Sequence, residues 1–154
     1  MITPEQFEFL MPLACGWAEE QEQLIFSNGD ALTDVQLADA RNVGVIHPER
    51  IRLLIVNQIP MPGHPALHAA ATAIHLITPS TAGLTLRYGI YIRSDHRNNR
   101  QLITHEFVHT SQYERLGGFL PFLQQYLYEC NTIGYPTAPM EQEAITTAAR
   151  MMGS

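Results

Sequence analysis

Lysine is missing from the chain; all nine basic residues are arginine. That excludes Schiff-base chemistry, a phosphate-loop lysine and any catalytic lysine. Cysteine is scarce: Cys15 and Cys130 stand far apart and form no CxxC pair, so two free buried thiols are expected rather than a disulfide. No apolar run approaches the roughly 20 residues of a membrane span. The N-terminal stretch has no cationic opening, carries Glu5 and Glu8, and is interrupted by Pro12, so it does not read as a signal peptide. Positive charge is in the minority, and a formal net charge of −6 argues against a nucleic-acid partner. Together these absences lead us to expect a cytoplasmic protein with no membrane partner and no nucleic-acid partner.

What is present suits a globule. At 154 residues and 45% hydrophobic content, residues 1–154 are expected to form a single domain that buries about two thirds of its unfolded surface. Pro4 after Thr3 opens a helix on which Phe7, Leu10, Met11, Ala14, Trp17 and Ala18 recur at helical spacing. A turn at 27–30 leads to a second helix over 33–42, then a β-branched buried strand over 51–57. A Pro-rich loop (59–65), an alanine-rich helix (66–74) and a connector (76–83) follow. Residues 84–92 alternate well enough for one strand with Leu84, Leu86, Tyr88, Ile90 and Ile92 on one face. Helices over 119–130 and 140–152 close the chain. The pattern predicts an α+β fold: a small mixed sheet of two to four strands packed against the helix that follows residue 92 and against several others.

That helix carries the chemistry. Ser94 or Asp95 can cap its start and Gly117-Gly118 stops it, with no proline or glycine between. It contains His105-Glu106-Phe107-Val108-His109, an HExxH pattern that chance would place about 0.02 times in such a chain. Residues four apart on a helix differ by about 40° net and about 6 Å of rise, so both imidazoles project from one face and can share a zinc ion. Glu106, about 100° round the helix, can serve a water on that ion without competing for the metal.

Two histidines do not hold a catalytic zinc; a third protein ligand is needed. Thr110 to Arg115 follow His109, so no third histidine stands at HExxHxxGxxH spacing. The candidates are Glu114, Glu129, Cys130, Glu141 and Glu143. Glu114 points away on the same helix. Glu141 shares its face with Ala144, Ile145, Ala148 and Met152, a packed side. Glu143 shares its face with Thr146, Thr147 and Arg150, a solvated side. Residues two apart differ by about 200°, so one of the two glutamates can face a metal, and Glu141 is favoured. Glu129, Cys130 and Glu143 remain open.

HExxH followed by a glutamate on a later helix resembles the gluzincin zinc peptidases. Glu141-Gln142-Glu143-Ala144 is similar to the ExEA or ExxA element whose first glutamate is the third ligand in several small members. Glu129, with 19 residues between it and His109, sits at the spacing of thermolysin-like enzymes, and a Cys130 ligand would give a site like that of peptide deformylase. The resemblance covers mainly residues 84–150. It implies Zn2+ on His105, His109 and Glu141, and hydrolysis of a peptide or protein substrate with Glu106 as general base. It also implies that the substrate lies along the strand over 84–92.

Other residues take expected roles beside these. Tyr135, just before the Glu141 helix, is the first candidate to share the oxyanion, with Tyr126 and His96 behind it. Gln112, one turn past His109, either lines the cleft, orients a ligand or is a surface amide. Arg87, Arg93, Arg97 and Arg100 form a basic stretch that is either a solvated face or a selector of acidic substrates. His47, His64, His68 and His75 are expected to be structural or at the surface. Two other functions compete: a zinc-scaffold binding or regulatory protein without turnover, and a zinc amidase with a non-peptide substrate.

Overall fold

Reciprocal hydrogen bonds start the first two helices. Thr3 and Gln6 form a capping box at the first, and Thr33 and Gln36 repeat it at the second. The computed structural model describes residues 2–153. Helix α1 (Pro4–Asn28) passes through Pro12 without ending, since Pro12 lies on its exposed side. The short strand β1 (Asp30–Ala31), helix α2 (Asp34–Asn42), strand β2 (Arg52–Val56) and helix α3 (Pro65–Ala73) follow. Strands β3 (Gly83–Leu86) and β4 (Gly89–Arg93) precede the motif helix α4 (Arg100–Leu116), and α5 (Phe119–Thr132) and α6 (Pro139–Met152) complete the chain. Cys15 and Cys130 are free thiols; Cys130 is buried and Cys15 is partly so. Among the described residues, no helix is long and apolar enough to cross a membrane.

The sheet is small and mixed, as expected, in the order β1-β2-β4-β3. β2 and β4 run parallel, and the outer pairs are antiparallel. One face packs under α1, where Ile25 joins Tyr91, Leu54 and Val56. The other face packs on α2 and α4, where Leu53, Ile90 and Ile92 meet Ala40, Ile103 and Phe107. A third cluster lies beyond the sheet, where the first half of α1 meets α3, α4, α5 and α6.

The expected single strand over 84–92 is corrected to a hairpin. Leu86 pairs with Gly89, leaving Arg87 and Tyr88 as a two-residue turn. Arg87 takes φ 62°, a left-handed conformation costing a non-glycine residue about 1–2 kcal/mol. No local turn residue supplies it. Instead the buried Glu22 carboxylate on α1 accepts from Arg87 Nε (2.9 Å), Arg87 Nη2 (2.7 Å) and Tyr88 N (3.1 Å). α1 comes so close that a Cβ on Gly89 would lie 3.2 Å from the Glu22 Cα. The turn also splits the supposed single face: Leu84 and Leu86 pack on the α1 side, Ile90 and Ile92 on the α4 side.

Two smaller corrections concern helix details. Asn99, not Ser94 or Asp95, caps α4, its Oδ1 accepting from Leu102 N at 3.1 Å; Ser94–His96 form a separate 3-10 turn. Gly117 ends α4 at φ 104°, where the sequence placed the stop. Ile145 does not pack with Glu141, Ala144 and Ala148, being 37% exposed.

Removing the Glu22 carboxylate by Glu22→Ala is expected to lower the unfolding free energy by about 2–3 kcal/mol. The loss falls short of a fully buried pair because the Arg87 side chain is 38% exposed. Urea unfolding of the variant measures it, and a change below about 0.5 kcal/mol would show that the turn holds itself.

Candidate metal centre

α4 is buried along most of its length, with Glu106, Phe107, His109 and Gln112 all turned from solvent. His105 and His109 project together, their rings 5.0 Å apart at 76°. α6 packs across them and brings in Glu141, which is 2% exposed. Glu141 Oε1 lies 2.7 Å from His105 Nε2, and Oε2 lies 3.1 Å from His109 Nε2. Ligand atoms of the three residues fall within 4.8 Å of one another, a group that can hold a metal ion.

Each member is held from behind. Tyr126 donates its hydroxyl to Glu141 Oε2 at 2.7 Å, and Tyr126 is itself stacked on Phe122. Gln112 Nε2 donates to the Met140 carbonyl (2.9 Å) and to Glu143 Oε1 (2.7 Å). Its Oε1 therefore faces His109 Nδ1 at 2.8 Å and accepts the ring proton. When the ring gives up its second proton to a cation, that bond keeps the remaining one on Nδ1 and leaves the Nε2 lone pair to ligate. Glu143 also accepts from Arg115 Nη2 at 2.8 Å, so the second glutamate of the element clasps α6 to α4.

The other candidates for third ligand are engaged elsewhere. Glu129 Oε1 accepts from Met140 N at 2.9 Å; α6 has no cap from its own N-cap residue, Ala138, and Glu129 supplies one. Cys130 is buried, and burial together with the Glu141 charge pushes its thiol up to about 12. Glu114 accepts from Ile46 N, His47 N and the Tyr88 hydroxyl, away from the cluster.

Glu106 lies beside the triad with one oxygen committed. Thr85 Oγ1 donates to Glu106 Oε1 at 2.8 Å, leaving Oε2 toward the cluster, 3.8 Å from His105 Nε2. Gly83 permits this approach, since a Cβ there would meet the Glu106 Cγ and Cδ at 3.1 Å. Sequence reasoning passed over both Thr85 and Gly83. The available signal was a hydroxyl and a glycine in an otherwise apolar strand just before the motif.

Tyr135 lines the same cavity as the cluster, though it is 45% exposed overall. Burial of its hydroxyl and the Glu141 and Glu106 charges push its pKa well up, so it remains a proton-bearing donor. His96 is not brought in; its Nδ1 lies 3.1 Å from Asn99 Nδ2 in the turn before α4. Three of the four arginines of the basic stretch pair with carboxylates of this chain. Arg87 pairs with Glu22, Arg93 with Asp95 and Arg100 with Asp39, while Arg97 Nε donates to the Ser94 carbonyl. His64 caps α3 through Nδ1, His47 contacts Glu49, and His75 lines the cavity.

The donor set fits a divalent cation. Two imidazole nitrogens and a carboxylate converge, and two buried carboxylates face one region, a charge that needs an offsetting cation. The electrostatics of the cluster make the same demand for positive charge. Burial alone would lower the His109 pKa, but the Glu141 hydrogen bond and the Glu106 and Glu141 charges lift it to about 9. Burial would raise Glu141, yet the hydrogen bonds from His105 and His109 hold it far below the usual carboxylate range.

Compared with protein-family models, curated proteins and solved structures, the chain matches none.

Gln112→Leu is expected to weaken metal binding about 10- to 100-fold by freeing the His109 ring, with Gln112→Asn, one methylene too short to keep both Nδ1 and the α6 acceptors, acting in the same direction. Competition against a chelating dye measures both. Protons compete with the cation for His109 Nε2, so apparent affinity is expected to rise with pH from about 6.5 toward 9, which calorimetry in buffers of different ionisation heat detects as proton release. In chelator-stripped protein the sign reverses. The raised His109 contributes stability below about 6.5 that is lost as pH rises through 9, and the depressed Glu141 contributes stability above about 4.5 that is lost as pH falls. Thermal unfolding of that protein is expected to plateau between about pH 4.5 and 6.5.

Proposed function

We propose that this chain is a zinc-dependent peptidase of the gluzincin type, with Zn2+ held by His105, His109 and Glu141. The observation that carries the reading is Glu106: a buried carboxylate with one oxygen pinned by Thr85 and the other turned toward the three ligands. A site that merely held a metal for structure has no use for a second, unliganded acid at that place. Zinc, when bound, supplies Lewis acidity toward water and the scissile carbonyl.

The protein's own groups supply the rest. Glu106 Oε2 takes a proton from the attacking water and delivers it to the leaving amine nitrogen. The Tyr135 hydroxyl, held protonated, donates to the developing oxyanion. Tyr126 and Gln112 hold the ligands in orientation, one through Glu141 and the other through His109. β3 replaces the expected strand over 84–92 as the place for a peptide, because it is the sheet edge beside α4 while β4 lies inside the sheet. The Thr85 carbonyl on this strand accepts from the Tyr113 hydroxyl at 3.2 Å, which marks it as pointing off the sheet. Free thiols at Cys15 and Cys130 support the cytoplasm as its compartment.

Glu106→Gln is expected to keep about one zinc per chain and lose about 10²- to 10⁴-fold in cleavage of a peptide library, whereas His105→Ala loses the metal. Absence of cleavage by both wild type and Glu106→Gln, each holding zinc, would favour a zinc-scaffold binding module. Cleavage confined to small amides outside the peptide library would favour the zinc amidase. Tyr135→Phe is expected to lower kcat about 10- to 10³-fold with KM little changed, read from steady-state kinetics.

A further inference from the structure

Residues 1–83 carry no motif, yet they build most of the wall facing the metal centre. A cavity of about 500 Å³ extends from the ligand cluster between α1, α3, β3 and α5. Trp17 and Ala14 of α1, Leu67 and Ala71 of α3, Leu84 of β3 and Leu123 of α5 line it. His105, Glu106, His109 and Glu141 line it too, so anything that fills the space lies against the proposed reacting groups.

Its chemistry is narrow. Among the described residues that line it there is no arginine and no aspartate, and the two carboxylates are Glu106 and Glu141. Away from the ligand cluster the wall is formed by residues such as Ala14, Trp17, Leu67, Ala71 and Leu84, so a charged group seated against that part finds no counter-ion among the described lining residues. Size adds a second limit. An engineered cavity of about 150 Å³ in another protein takes one benzene, so about 500 Å³ exceeds one aromatic side chain. The volume falls within the range of small-molecule pockets, roughly 300–1,000 Å³.

We infer that this cavity is the specificity chamber of the enzyme, and that the substrate is an amide flanked on one side by an uncharged apolar group larger than a single side chain. The inference rests on the proposed hydrolase reading for its amide and on the cavity alone for its apolar group. A fatty-acyl chain and a run of apolar residues share that chemistry. Burial of each methylene in the chamber raises affinity about fourfold, enough for a short chain to bind without any ion pair.

Trp17, the single tryptophan, lies in the wall and reports occupancy directly. Chelator-treated protein is titrated with three uncharged probes: N-dodecanoylglycinamide, the blocked tripeptide acetyl-Leu-Leu-Leu-amide, and acetyl-Ser-Ser-Ser-amide. We expect a saturable change in Trp17 emission with at least one apolar probe and none with the serine probe. Response to the dodecanoyl probe alone assigns an acyl chain, response to the leucine probe alone assigns an apolar peptide, and response to both supports the shared chemistry. Ala71→Phe is expected to weaken the response about tenfold by filling the space. Ala70→Phe, at a half-buried position on the same wall, serves if the first variant does not fold; circular dichroism checks both. Equal response to all three probes, no response to any, or unchanged binding in a folded Phe variant overturns the chamber. Because the protein is stripped of zinc, apolar binding without later cleavage would leave the chamber standing and remove the peptidase.

Discussion

One buried carboxylate meets two imidazoles, and the surrounding packing is arranged to keep it there. Glu141 is almost wholly removed from water, which costs several kcal/mol for an acid that finds no partner. His105, His109 and Tyr126 each approach it closely, and two further acids secure the helix that carries it. Glu129 caps that helix from α5, and Glu143 ties it to α4 through Gln112 and Arg115. The acids near the site thus divide between meeting a cation and fixing the helix that delivers the ligand.

The sheet does a different job. Its edge strand lies along α4, and its Thr85 sets which oxygen of Glu106 is free. That strand is in turn placed by a hairpin whose turn is held from α1 by Glu22. The N-terminal helix therefore reaches the proposed base through three contacts in series: carboxylate to turn, turn to strand, strand to Glu106. The same helix forms a wall of the cavity, so residues distant in sequence from the motif surround the chemistry.

Much of this was legible from the residues alone. Helical periodicity and Thr3, Thr33 and Gly117 marked where helices begin and end, and HExxH identified the central one. The face shared by Glu141, Ala144 and Ala148 pointed to the glutamate that α6 sets beside His105 and His109, since burial follows helical phase. What escaped had long-range causes. The turn at Arg87-Tyr88 has no glycine or asparagine and depends on Glu22, 65 positions away from Arg87. Ile145 looked like core and is exposed, because apolar character does not oblige a side chain to be buried. Gln112 was ambiguous until α6 supplied Met140 and Glu143 as acceptors for its amide. The arginines read as a basic patch until Glu22, Asp39 and Asp95 were seen beside them.

Gly83 sets how much the edge strand can drift. The carboxyl end of Glu106 rests 3.1 Å from where a β-carbon would stand, so any other amino acid there must nudge that acid by a few tenths of an ångström. Displacements on that scale matter little to packing and a great deal to the hop of a proton between two heavy atoms. The hydrogen on that glycine is in effect a gauge block, setting the spacing between scaffold and chemistry at its least forgiving point.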